Sequence, residues 1–275
     1  PYFMAEASHA PKQSGGNWDI GYRAAEAAIR AADGIIGLSS LDAACVMPLL
    51  DNPDRYHRLA PFTETALLAQ SGANRVQHRT KLRARHAIDA DTPILLAVGM
   101  MRDGDKLASY RVLADAMRRV TDRLWTLVIV GDGPARRETK AAFAVVPPDR
   151  IIYAGAVAPG DLPALYAAAD LMVWPAINEA YGMAMLEAQA AGLPVIAGRT
   201  GGVPDVVRDG RTGVLCPVGD AVAFADAVSD LLASPSRRDA MRKVALSVTA
   251  AEHDTAIAAR RLNEILHSNS KARAA

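Results

Sequence analysis

Residues 170–202 read DLMVWPAINEAYGMAMLEAQAAGLPVIAGRTGG, and the order of apolar, small and charged positions in them decides the fold. The run 171–174 is apolar without interruption and ends at Pro175. A strand covered on both faces is continuously apolar, whereas a half-exposed strand alternates, so this run predicts a central strand of a parallel sheet. A short polar loop follows, and a helix is expected to begin near Gly182. Ala184, Ala188 and Ala191 let that helix approach a sheet closely, and Gly192-Leu193-Pro194 stops it before the apolar run 194–198. The loop therefore lies at the carboxyl edge of the sheet, where open α/β folds bind ligands and where a helix start offers free N–H groups to phosphate oxygens. Glu187 lies roughly 7 to 8 Å along the helix axis from Gly182. That reach suits a ribose beyond the phosphates, since a carboxylate accepts both hydroxyls of a cis-diol.

The same alternation extends in both directions. Apolar runs at 93–99 (PILLAVG), 126–131 (TLVIVG), 150–155 (RIIYAG) and 213–217 (GVLCP) bring the predicted strands to six. Between the first two, Leu107, Tyr110, Leu113, Met117 and Val120 recur at three- and four-residue steps and predict one buried helical stripe. The result is a β-α-β-α rhythm with helices on both sheet faces. Beyond the last strand, helical segments are expected at 221–233, 237–248 and 253–267, separated by Ser234-Pro235 and by Ala250-Ala251. The first ninety residues are less regular: a helix running into a strand over 20–40, a helix stopped near Pro48, a loop and short edge strand over 51–62, and a helix over 73–88. About one βα unit cannot close a sheet of its own. The chain opens on Pro1, which leads us to expect a fragment or a processed chain.

At 275 residues the length permits two lobes. A formal charge of +1 leaves no global field to attract nucleic acid. The densest basic stretch, RVQHRTKLRAR at 75–85, fits the solvated face of a helix, with weak peripheral contact to anionic lipid head groups as the alternative. No apolar run approaches the roughly 20 residues of a membrane-spanning helix. Cys45 and Cys216 lack partners at metal-ligand spacing, as do His9, His57, His78, His86, His253 and His267. These features predict a cytoplasmic protein without a metal.

The stretch NEAYGMAMLEAQAAGLPVIAG at 178–198 resembles the glutamate, seven residues, glutamate signature of the retaining glycosyltransferases of family 4 (glycosyl transferases group 1), which have the two-domain GT-B fold. The surrounding order is similar too: VIVGDGPAR at 128–136, IIYAGAVAPGDLPALYAAADLMVWP at 151–175 and GGVPDVVRDGRTGVLCPVGD at 201–220. The resemblance implies an α/β, Rossmann-like, nucleotide-sugar-binding domain over 89–250. It makes 1–88 a remnant of the acceptor-side domain with its linker, and 251–275 a crossover helix and tail. It implies transfer of a hexosyl group, with retention and without metal or cofactor, from a UDP- or GDP-linked donor to a saccharide, lipid-linked or small-molecule acceptor. In that scheme Glu179 holds sugar hydroxyls and Glu187 the ribose. The N–H groups at Tyr181, Gly182 and Met183 meet the diphosphate, and backbone at Ala156 and Val157 meets the base. The sequence departs from the family in VGMMRDGDK at 98–106, where Met100 stands in the usual arginine place and Arg102 and Lys106 are displaced along the loop. Both cations are still expected to reach the diphosphate. Gly201 and Gly202 suit either a close approach of backbone to ligand or a turn before Val203-Pro204.

Three other readings compete. A dinucleotide oxidoreductase is disfavoured because Arg136 stands where the third glycine of G-x-G-x-x-G belongs in GDGPAR. A non-catalytic sugar-nucleotide-binding fragment fits the irregular first ninety residues. An epimerase or phosphorylase on the same fold is the third.

Overall fold

The computed structural model describes residues 17–274; His9 and the opening of the first unit lie outside them. In chain order the elements are α1 (Asn17–Ala31), β1 (Ile35–Gly37), α2 (Ser40–Val46), β2 (Tyr56–Arg58), α3 (Thr65–Ala73) and α4 (Arg75–His86). Next come β3 (Ile94–Val98), α5 (Asp105–Met117), β4 (Thr126–Val130), α6 (Arg136–Ala142), β5 (Ile151–Gly155), α7 (Leu162–Ala168), β6 (Leu171–Trp174) and α8 (Met183–Ala190). Then β7 (Val195–Gly198), α9 (Val203–Val206), β8 (Gly213–Cys216), α10 (Ala221–Ala233), α11 (Pro235–Glu252) and α12 (Thr255–Ala274) complete the chain.

All six expected strands form one parallel sheet in the order β5-β4-β3-β6-β7-β8. The order reverses between β3 and β6, which is the topological switch point. Leu95, Leu96, Val128, Ile129, Met172 and Val173 are fully buried, as continuous apolar strands between two helical layers must be. One layer packs α3, α4, α7, α8 and α11 together, and the other packs α5 with α6 and α10. The α5 stripe behaves as its spacing requires: Leu107, Tyr110, Leu113, Met117 and Val120 are all buried.

Two elements differ from the sequence reading. Helix α3 has no counterpart in it, because only Thr65 and Leu68 of its residues are buried and its seat is a backbone contact. A Cβ on Gly72 would lie 2.6 Å from the Ala191 carbonyl oxygen, so α3 rests directly on the end of α8. Helix α11 runs through Ala250 and Ala251, good helix formers, and breaks instead at His253 and Asp254. There the chain is tied back to the first segment: Thr63 N–H donates to the His253 carbonyl (2.9 Å), and Thr65 Oγ1 donates to Asp254 (2.5 Å).

The short parallel pair β1 and β2 stands apart from the large sheet. A polar tie to the rest is Asp205 in α9, which accepts from the Ser40 amide (2.7 Å), the Ser40 hydroxyl (2.5 Å) and Arg58 Nη2 (2.6 Å). Helices α3 and α4, by contrast, give Leu68 and Leu82 to the core of the six-stranded sheet.

The basic stretch in α4 is partly consumed inside the protein. Arg75 Nη2 and Arg79 Nη1 pair with the two oxygens of Asp170 at 2.7 and 2.8 Å, and both arginines also donate to carbonyls at the end of α7. The other Asp170 partner is the Ile94 amide at 2.7 Å. Burial alone would raise the Asp170 pKa, but Arg79, the Ile94 amide and Arg75 outweigh it and hold the carboxyl below the usual carboxylate range. A depressed pKa contributes stability above the unfolded-state value that is lost as pH falls through the folded one. Asp170→Asn leaves two half-buried guanidinium groups short of a countercharge and should cost about 3 to 5 kcal/mol in urea unfolding at neutral pH. The variant should also lose the part of the acid dependence that Asp170 supplies.

Candidate functional site

A cleft of about 520 Å³ opens over the carboxyl edge of the sheet. It is lined by Val98 and Gly99 at the end of β3 and by Val130 and Gly131 at the end of β4. Ala156 and Val157 after β5 close one end, and the loop from Glu179 to the start of α8 closes the other. Lys106, Tyr166 and Glu187 project into it from α5, α7 and α8.

The loop after β6 is shaped by two non-glycine residues with left-handed backbone, Ala176 (φ 54°) and Asn178 (φ 53°). Glu179 Oε2 then receives Lys106 Nζ and, at 3.4 Å, the Trp174 indole N–H. Lys106 Nζ also stands 5.4 Å from the centre of the Trp174 ring, within cation–π range. Only 19% of each side chain of the Lys106–Glu179 pair is exposed. The cation and the acid thus act on one spot. Beneath them, Gly202 N–H donates to the Ala180 carbonyl (2.8 Å), and a Cβ on Gly201 (φ 52°) would lie 1.9 Å from the Glu179 carbonyl oxygen. The glycine pair makes the turn into α9 and also seats the backbone of Glu179. Only a residue without a side chain fits there.

Helix α8 starts at Gly182, which is left-handed (φ 74°), and has no side-chain cap. An uncapped start leaves its first N–H groups to an outside acceptor. Tyr181, Gly182 and Met183 line the cleft at this point. Deeper in the helix, Glu187 Oε2 accepts from the hydroxyl of fully buried Tyr166 at 2.9 Å, which fixes the carboxyl plane. Burial raises the Glu187 pKa, and the Tyr166 hydrogen bond lowers it by a smaller amount. Of the two expected cations, the structure brings one into the cleft. Lys106 lines it, whereas Arg102 is exposed and outside the lining. The reason is local: Met101 is held between strand ends by hydrogen bonds from its amide to Asp132 O and from the Ala135 amide to its carbonyl. Met101 is therefore buried, and the next side chain turns outward.

Among the described residues no group of three or more His, Cys, Asp or Glu is placed to hold a metal. The arrangement offers two carboxylates for hydroxyl groups, a lysine and a helix start for an anion, and exposed backbone beyond them. The sequence profile of one family, glycosyl transferases group 1, matches residues 92–234, more than half of the chain. The chain belongs to that family. It is 34% identical over 173 residues to a GDP-mannose-dependent alpha-(1-6)-phosphatidylinositol monomannoside mannosyltransferase of Mycolicibacterium smegmatis, covering 59% of this chain and 44% of that one. It spans about half the length of the curated relatives it matches. In fold it is similar to the sucrose-phosphate synthase of Thermosynechococcus elongatus (TM-score 0.80, 23% identity, 98% of this chain and 66% of that one). It is likewise similar to Anabaena HepE crystallised with UDP and glucose (TM-score 0.76, 20% identity, 90% and 66%). The Rossmann-like GT-B architecture implied by the sequence is therefore the observed one.

Tyr166, the Trp174 indole and the seat formed by Gly201 and Gly202 are site features that sequence reasoning missed. Tyr166 carries the one available signal, a hydroxyl-bearing aromatic amid alanines in LYAAAD. The Glu187 carboxyl should titrate above the ordinary glutamate range in side-chain ¹³C NMR, and Tyr166→Phe, by removing the donor that favours the carboxylate, should move it further upward.

Proposed function

We propose that this chain forms the donor side of a hexosyltransferase that moves a hexosyl group, with retention, from a UDP- or GDP-linked sugar to a saccharide, lipid-linked or small-molecule acceptor. One observation carries the reading: Val157 beyond β5, the helix start at Gly182, the Lys106–Glu179 pair and Glu187 line a single cleft over the carboxyl edge of the sheet. A nucleoside-diphosphate sugar presents base, ribose, diphosphate and sugar, and each has a chemical counterpart among these groups. In this reading Val157 and Ala156 meet the base through backbone, and Glu187 takes the ribose hydroxyls with the oxygen that Tyr166 leaves free. The amides at Tyr181, Gly182 and Met183 take the diphosphate together with Lys106, while Arg102 adds charge only from the rim. The bond between the anomeric carbon and the β-phosphate oxygen breaks as oxocarbenium character develops, and the electrons go to the leaving diphosphate. Preorganised N–H groups and Lys106 stabilise that charge where it grows, without a metal. Glu179 holds sugar hydroxyls and faces the electron-poor carbon.

Several finer features belong to the same proposal. The acceptor is bound by the first segment, residues 1–88, at the open side of Glu179. A cytoplasmic location fits the free thiols of Cys45 and Cys216. Any membrane contact is weak and peripheral, because Arg75, Arg79 and Arg83 of the basic helix are occupied by internal partners. A second reading is a donor-binding lobe without turnover of its own. Comparing turnover of this chain with that of a longer form carrying upstream sequence separates the two.

At least one member of a panel of UDP- and GDP-sugars should raise the melting temperature, and Glu187→Ala should abolish the shift. Equal shifts in parent and variant would remove the ribose role. Protonation turns one Glu187 oxygen into a donor and weakens the other as an acceptor, so nucleotide affinity should fall on acidification, beginning above the ordinary glutamate range. Glu187→Gln should flatten that fall.

A further inference from the structure

Three consecutive residues of the loop after β6 are each taken by a residue in the first turns of α5. The Ile177 amide donates to Ser109 Oγ at 2.9 Å, Asn178 Nδ2 donates to Asp105 Oδ2 at 2.8 Å, and Glu179 receives Lys106 Nζ. Ser109 is 1% exposed, and its own hydroxyl proton is committed to the Asp105 carbonyl at 2.7 Å. That back-bond to the preceding helical turn fixes the hydroxyl, so its free lone pairs point away from α5 toward Ile177. Beyond Pro175, whose carbonyl lies against Gly198 at the end of β7, Ala176 and Asn178 hold left-handed backbone that needs outside support.

We infer that Ser109, Asp105 and Asn178 are positioning residues that fix Glu179 at the sugar end of the cleft and thereby let the site distinguish a sugar nucleotide from the bare nucleoside diphosphate. The inference rests on the donor reading above and deepens it. Its selectivity follows from where the groups sit. The clasp joins α5 to the loop that carries Glu179, while Glu187 is set by Tyr166 on α7 and Val157 by the turn after β5. Loosening the clasp displaces the carboxylate that meets the sugar and leaves the nucleoside contacts in place. A displacement of about 1 Å at a reacting group is enough to be felt strongly in function.

The test compares dissociation constants for one sugar nucleotide and its parent nucleoside diphosphate by calorimetry on the full 275-residue chain. Ser109→Ala strands the Ile177 amide and should weaken the sugar nucleotide about tenfold, while the nucleoside diphosphate changes by less than about twofold. Asn178→Asp sets two carboxylates face to face and should act in the same direction. The exchange Asp105→Asn with Asn178→Asp restores one donor and one acceptor, and aspartate tolerates the left-handed backbone at 178 as asparagine does. It should recover the ratio of the two affinities to within about threefold of the parent. A purely structural role would lower the melting temperature and weaken both ligands alike, with no recovery in the exchange, and that result overturns the inference. A parent chain that binds neither ligand would instead sink the donor reading, and this inference with it.

Discussion

The structure depends on how β3 and β6 are joined at the point where the sheet order reverses. Their ladder is the shortest in the sheet's centre, with Leu95 opposite Leu171 and Leu96 opposite Met172. Asp170 extends it at the amino end, where its amide donates to the Ile94 carbonyl (2.7 Å) and its carboxylate accepts from the Ile94 amide. Arg75 and Arg79 then bind the same carboxylate and clamp α4 across the base of both strands. A pair secured so firmly at one end can part at the other: beyond Leu96 and Met172 no register joins the two strands, while Gly99 stays bonded to Val130 of β4 and Trp174 stays in register with Ala197 of β7. The candidate site lies over that parting.

Its width is set by an aromatic wedge. A Cβ on Gly99 would come within 2.8 Å of the Trp174 ring, so the indole lies on bare backbone. Tyr110 packs edge-on against Trp174, with ring centres 5.0 Å apart, and its hydroxyl donates to the Gly99 carbonyl at 2.6 Å. Burial pushes the Tyr110 phenol well above its usual pKa, so it remains a donor at any ordinary pH. The wedge fixes the indole N–H that reaches Glu179 and the ring face that receives Lys106. Hydrophobic packing from α5 and the polar geometry of the cleft are thus two aspects of one contact.

How much of this was legible follows from the kind of signal each part carries. The inner strands could be read because burial on both faces demands an unbroken apolar run, and runs such as LVIV and LMVW, ended by Gly131 and Pro175, are too short for a buried helix. Glu179 and Glu187 could be read because a loop and a small-residue helix must stand in order around them. Helix α3 could not, since its contact with α8 is made by backbone at Gly72 and leaves no apolar period. Arg102 and Lys106 looked equivalent in VGMMRDGDK, and only the hydrogen bonds that bury Met101 decide which of them faces inward. Ser109, Asp105 and Tyr166 stayed silent because a polar side chain acquires its meaning from a partner distant in sequence, sixty or more residues away for Ser109 and Asp105.

The first segment bears on the same end of the cleft. Ser40 and Arg58 hold Asp205, and Asp205 sits in a helix of four residues that begins directly after Gly201 and Gly202. Those two glycines lie against the carbonyls of Glu179 and Ala180, with no side chain between the two backbones to absorb a shift. Ser39 of the same segment packs at the other side of Gly202, where a Cβ would meet its own Cβ at 3.2 Å. Close-packed backbone transmits displacement instead of dissipating it. A movement of the β1 and β2 segment therefore bears on Glu179. Helix α8 meets the same α9 at a second point, where Gln189 Nε2 donates to the Val206 carbonyl at 3.2 Å, so Glu187 is tied to it through α8 and not through the carbonyl of Glu179. In the donor reading proposed above, the sugar end is thus the part of the cleft whose backbone the first segment meets directly.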